Sequence, residues 1–169
     1  MNDEYCMREA LAEAKRAGLT GDIPVGAVAV YGGKVIARGH NQKEAARDPT
    51  AHAEMLVLRE TAQVLGGWRL EGVTLYCTLE PCPMCAGAMV QARLSCLVYA
   101  VNDPKAGAAG SVIDLLQNEQ FNHLVEVKQG VLRDEVTRLM DSFFVALREG
   151  RVPRWSRRPP GRVKSDQKS

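Results

Sequence analysis

Two short segments, far apart in the chain, restrict this sequence more than anything else in it. TAHAEM sets His52 and Glu54 two residues apart, and LEPCPMCAGAM sets Cys82 and Cys85 three positions apart. Each reads as the start of a helix. Side chains three apart on a first helical turn face one side, so both sulfurs can point the same way. The unpaired N–H groups and partial positive charge of a helix start favour thiolate over thiol. Two thiolates and one imidazole make three zinc ligands. They leave the fourth tetrahedral corner to water, the arrangement of catalytic rather than structural sites.

Each piece alone has a plainer reading. A lone CxxC is also the pattern of a redox pair or of half a structural zinc site, although no second CxxC exists in the chain. Cys6, Cys77 and Cys96 are isolated, and Cys77 and Cys96 lie in apolar stretches that read as core. An odd cysteine count without a secretory signal argues against a disulfide framework. His52 alone would be a packed or surface histidine, and Glu54 alone an exposed acid favoured by a helix dipole. Beside a metal-bound water of lowered pKa, Glu54 becomes a proton carrier instead.

The elements around these motifs alternate between strand and helix. Residues 4–17 read as an Ala-rich amphipathic helix ended near Gly18. Val25–Tyr31 and Val35–Gly39 read as strands joined by a Gly32-Gly33 hairpin turn. Asp48-Pro49-Thr50 is expected to start a helix that runs to about Leu65, capped by Asp48 or by Thr50. Thr74–Thr78 is a third strand, Cys82–Arg93 a helix opened by Pro81, Ser95–Ala100 a fourth strand, and Leu124–Lys128 a candidate fifth. Residues 101–111 form a small-residue loop. Leu132, Val136, Leu139, Met140, Phe143, Phe144 and Leu147 make one apolar stripe, the mark of an amphipathic helix. The expected class is α/β, a sandwich around a mixed sheet with an antiparallel start and parallel crossovers.

Charge divides the chain. Residues 148–169 hold eight Lys/Arg against Glu149 and Asp166, a net of +6, so residues 1–147 carry −4. Residues 1–150 are expected to form the catalytic domain and 151–169 a basic tail. The tail is either a solvated segment or a contact for an anionic partner. Trp155 within it either stacks on a base or packs back on the domain. No apolar run reaches the length of a membrane span, and the first residues show no apolar signal core, so a cytoplasmic protein is expected.

H-x-E followed by P-C-x-x-C is the zinc deaminase signature, with the glutamate as acid/base rather than ligand. The sequence resembles more narrowly the bacterial tRNA-specific adenosine deaminases. The match covers about residues 4–148. It rests on PVGAV (Pro24–Val28), GHN (Gly39–Asn41), DPTAHAE (Asp48–Glu54), TLEPCPMCAGAM (Thr78–Met89) and DPKAGAAGS (Asp103–Ser111). The resemblance implies a cytidine-deaminase-like three-layer α/β/α sandwich with a five-stranded sheet, a homodimer, and one Zn²⁺ per subunit. It implies hydrolytic conversion of adenosine to inosine at the wobble position, position 34, of a tRNA anticodon stem–loop. By motif, Asn41 would bind the flipped base and Val25 would wall the pocket. Ala53 and Cys82 would offer backbone N–H groups and Pro81 a carbonyl, with Asp103 and Lys105 on a loop lining the RNA groove. Read without the resemblance, Asn41 and Asp103-Pro104 are turn residues and Lys105 is solvated. Deaminases of a free nucleobase or nucleotide share the core motif and are the nearest alternative. A non-catalytic zinc-stapled RNA-binding subunit, as arises when a deaminase loses its glutamate, is the other, and the presence of Glu54 speaks against it.

Overall fold

The computed structural model describes residues 1–153 of the 169. The expectations for Trp155 and for the tail arginines from Arg154 onward lie outside the described residues. Ten elements follow in order: α1 Asp3–Leu19, β1 Gly26–Tyr31, β2 Lys34–His40, α2 Lys43–Ala46, α3 Ala53–Leu65, β3 Thr74–Leu79, α4 Pro83–Gln91, β4 Cys96–Val101, β5 Glu126–Gln129 and α5 Arg133–Arg148.

The strands form one sheet in the order β2-β1-β3-β4-β5. β1 pairs antiparallel with both β2 and β3, while β3–β4 and β4–β5 are parallel. The mixed sheet is therefore as expected. The β1–β2 turn uses Gly32 and Gly33 at φ 55° and 74°, the double left-handed conformation that a two-residue hairpin needs.

Side chains alternate across the sheet, so each strand feeds two cores. Val28, Tyr76 and Val98 face a layer with Cys6, Met7 and Ala10 of α1 and Val136 of α5. Ala27, Ala29, Leu75, Cys77 and Leu97 face the other layer, with Val57 of α3 and Met89 of α4. This is the three-layer α/β/α sandwich. α1 approaches very closely: a Cβ at Gly26 would lie 2.0 Å from the Ala10 carbonyl oxygen and 2.4 Å from the Ala14 nitrogen. Only glycine fits there.

Four boundaries differ from the sequence reading, each for a physical reason. Neither Asp48 nor Thr50 caps α3. The Asp48 carboxylate instead accepts the Thr50 N–H (2.8 Å) and hydroxyl (2.7 Å), closing a turn that holds 48–52 out of the helix. Those bonds keep the Asp48 carboxyl below its usual range. His52 becomes the cap and Ala53 the first helical residue. At α4 the opening proline is Pro83, not Pro81, and Cys82 is the cap. β5 begins at Glu126, where pairing with Cys96 of β4 starts, leaving Leu124 outside the ladder and exposed. Leu132, the first residue of the apolar stripe, is left-handed at φ 56° and caps α5 rather than joining it. No described helix is long and apolar enough to cross a membrane.

Candidate active site

α3 and α4 both begin beside the sheet, and their cap residues meet. His52 Nδ1 lies 3.6 Å from Cys82 Sγ and 3.6 Å from Cys85 Sγ, and the two sulfurs are 3.6 Å apart. A tetrahedral ion with bonds of about 2.0–2.1 Å to nitrogen and about 2.3 Å to sulfur spaces its ligand atoms about 3.4–3.8 Å apart. The triangle and its donor set fit such an ion. Among the described residues these three form the one His/Cys/Asp/Glu group close enough to hold a metal.

Like the caps of α2 and α5, those of α3 and α4 lack a side-chain cap bond; what sets them apart is that they are a histidine and a cysteine that meet. Neither His52 nor Cys82 makes a side-chain cap bond to its helix, and the one bond Cys82 Sγ makes within α4 is to Cys85 Sγ. The first N–H groups of both helices thus keep their positive ends turned toward the cluster. The sulfurs differ. Hydrogen bonds from Cys85 and then His52 pull the Cys82 thiol down to about 4, while donating that bond pushes Cys85 up. The bond to Cys82 likewise raises His52. The cluster therefore already stabilises a thiolate, the form a metal binds.

Glu54, in the first turn of α3, is 3% exposed, and burial pushes its carboxyl up to about 7. Its Oε2 has no hydrogen-bond partner among the described residues. A buried polar atom without a partner is costly in a fold and marks a group kept for something that is not part of the chain. The charges of His52 and Cys82 both act on it.

The remaining candidates fall into two groups. Asn41 and Val25 are brought together, both buried, with the Asn41 N–H donating to the Val25 carbonyl at 2.9 Å. Ala53 is fully buried as the first residue of α3. The Pro81 carbonyl already accepts the Ala108 N–H at 2.8 Å, leaving it one lone pair. Asp103 turns its carboxylate into its own loop, onto the N–H groups of Lys105 (3.0 Å) and Ala106 (3.2 Å). Lys105 is exposed. The loop and α5 border a cavity of about 390 Å³, lined by Ile23, Leu79, Asp103, Lys105, Met140 and Phe144 among others.

Three buried carboxylates, Glu13, Asp22 and Glu80, have no counterpart among the sequence candidates. Glu13 lies against Arg16 (3.1 Å) and the His40 ring (2.9 Å). Asp22, 1% exposed, accepts the N–H groups of Glu44 (2.8 Å) and Ala45 (3.2 Å) and so anchors α2, a helix with no local signal. Glu80, 2% exposed, sits just before Pro81-Cys82. It accepts the N–H groups of Asp103 (2.8 Å), Ala109 (3.1 Å) and Ser111 (3.0 Å), and the Ser111 hydroxyl. The available signal was an acid directly following an apolar strand.

The chain is similar in sequence and fold to known deaminases. The family model of the MafB19-like deaminases matches residues 1–148. A Bacillus subtilis (strain 168) tRNA-specific adenosine deaminase is 52% identical over 147 residues, covering 87% of this chain and 91% of that protein. A Streptococcus pyogenes (serotype M18) tRNA-specific adenosine deaminase is 40% identical, with 87% and 91% covered. A solved structure from work on A-to-I editing by tRNA:A34 deaminases superposes with a TM-score of 0.77 at 41% identity, over 80% of this chain and 98% of that one. The guanine deaminase of Bacillus subtilis is further away, with a TM-score of 0.59 at 31% identity over 88% and 95%. The chain belongs to the tRNA-specific adenosine deaminase family.

Proposed function

We propose that this chain hydrolyses adenosine to inosine at the wobble position, position 34, of tRNA, using one Zn²⁺ held by His52, Cys82 and Cys85. The observation that carries the chemistry is the 3.6 Å triangle with the buried Glu54 carboxyl beside it, whose Oε2 has no partner among the described residues. The relatives' names supply the substrate. When bound, zinc supplies the Lewis acidity that makes water nucleophilic near neutral pH.

The chain's own groups do the rest. Asn41 fixes the edge of the flipped adenine and Val25 walls its pocket. An anticodon loop presents unpaired bases, so extruding one costs little. Glu54 takes a proton from the attacking water and gives it to N1 as oxygen adds to C6. It then takes the remaining proton from the new C6 hydroxyl and passes it to the amine at C6. The C6–N bond breaks and ammonia leaves. The N–H groups of Ala53 and Cys82 and the free lone pair of the Pro81 carbonyl orient the reacting groups. Asp103 shapes the loop, and Lys105, being exposed, is placed for phosphate.

The same proposal includes a cytoplasmic homodimer. An apolar groove of about 520 Å³ between α3 and α4, edged by Trp68 at 58% exposure, supports the pairing of two copies. Incubation with an anticodon stem–loop carrying A34 should yield inosine by sequencing. Free adenosine, guanine and cytidine should yield no ammonia. Turnover of guanine with an inert stem–loop would overturn the substrate assignment.

A further inference from the structure

We infer that Glu80 is a positioning residue: its buried carboxylate locks the 103–111 loop onto the strand end that carries Cys82, so the groove wall and the ligand cluster move as one body. The inference takes the groove's occupant from the function proposed above, but the locking itself rests on geometry alone.

The four hydrogen bonds to Glu80 come from both ends of the loop, Asp103 at one and Ala109 and Ser111 at the other. A fifth clamp follows at the next residue, where the Pro81 carbonyl accepts the Ala108 N–H. Among the described residues no cation pairs with this carboxylate. Its charge is met by loop donors only, and donors to a charged acceptor make the stronger class of hydrogen bond. The loop fits with no slack. A Cβ at Gly107 would lie 2.3 Å from Glu80 Oε2 and 2.5 Å from the Asp103 carbonyl oxygen. Gly107 is therefore required for close approach.

The consequence reaches the cavity beside α5. Asp103 and Lys105 line it from the loop, and Leu79, directly before Glu80, lines it from β3. Glu80 thus sits at the joint between the cavity wall and the turn to Cys82. It touches neither zinc nor base in this scheme; it acts through the loop.

Glu80→Gln tests the donor count. Each carboxylate oxygen faces two donors, and a glutamine amide in either orientation sets its NH₂ against at least one backbone N–H. Full-length zinc-loaded Glu80→Gln should keep one zinc per chain. Amide hydrogen exchange should accelerate across residues 103–111 and stay unchanged at the starts of α3 and α4. KM for the A34 stem–loop should rise at least about tenfold, with kcat falling less. Glu80→Asp, which keeps the charge, should restore part of the exchange protection. Gly107→Ala attacks the same lock from the loop side, and should give the same exchange pattern if Glu80→Gln fails to fold. Unchanged exchange in the loop of either variant would overturn the inference, as would loss of zinc in Gly107→Ala. The exchange readout needs no substrate. A wild-type protein inert on the stem–loop would therefore defeat the proposed function and leave the lock to be judged separately.

Discussion

At the start of α1 the Asn2 side-chain oxygen accepts the Tyr5 N–H at 2.8 Å; at the starts of α3 and α4 the cap positions belong to His52 and Cys82, and neither makes a side-chain cap bond. A side-chain cap stabilises a helix by about 1 kcal/mol. α1 takes that stabilisation and settles on the sheet, with Cys6, Met7, Ala10 and Ala14 fully buried. α3 and α4 forgo it. Their cap side chains turn to each other and build the triangle, while their free N–H groups supply the field that favours thiolate. The missing bond alone does not mark a site, since α2 and α5 also start without a side-chain cap; the identity of the cap does, asparagine with acids behind it against histidine and cysteine.

The harshest way to break this contrast is to remove a corner of the triangle. Cys85→Ala, or Cys82→Ser, should lose zinc by metal analysis and bring inosine formation down to background. Exhaustive chelation of the wild type should do the same and lower its melting temperature, since an ion bound only by the native state stabilises it by mass action. A chain that works after chelation would end the zinc reading. Glu54→Gln separates the metal from the proton carrier. It should hold one zinc per chain while kcat falls by at least about 10²-fold, the usual scale for a positioned acid/base. Full activity at full zinc occupancy would remove Glu54 from its role.

Legibility followed sequence distance. His52, Glu54, Cys82 and Cys85 could be read because each pair sits within one helical turn, where spacing alone sets direction. The strands could be read from β-branched runs and the Gly32-Gly33 turn. What failed was decided from afar or by competition. Asp48 and Thr50 carry the right side chains for a cap, but they satisfy each other, and so the helix starts at His52. α2 depends on Asp22, 22 positions before Glu44. The partners of Glu80 lie 23 to 31 residues downstream. The wall of the cavity beside α5 is therefore illegible in the sequence, although Asp103 and Lys105 on it are legible as candidates.

The seat of α1 offers the next smaller effect. Gly26→Ala would push a methyl group into the Ala10 carbonyl, and backbone cannot step aside as a flexible side chain does. Overpacking of this kind costs about 1–3 kcal/mol, readable as a lower denaturant midpoint with an unchanged slope. A midpoint equal to wild type would show that α1 can slide on the sheet, and that its close approach is not what fixes the first layer.

Asn2→Ala gives the smallest effect and the cleanest control. It deletes one bond, to the Tyr5 N–H, at an exposed position. The Tyr5 N–H then turns to water, so the loss should be about 1 kcal/mol, at the scale of a removed cap, and kcat/KM for the stem–loop should not move. The matching change at α3, His52→Asn, inserts a residue that caps well, and it should do the reverse: zinc and turnover disappear, while the helix gains the side-chain bond it lacked. If Asn2→Ala lowered kcat/KM, α1 would be coupled to the site through the sheet, and the division between starts that stabilise and starts that react would have to be redrawn around Tyr76, whose hydroxyl donates to Asp3 of α1 at 2.7 Å from the strand that leads to Cys82.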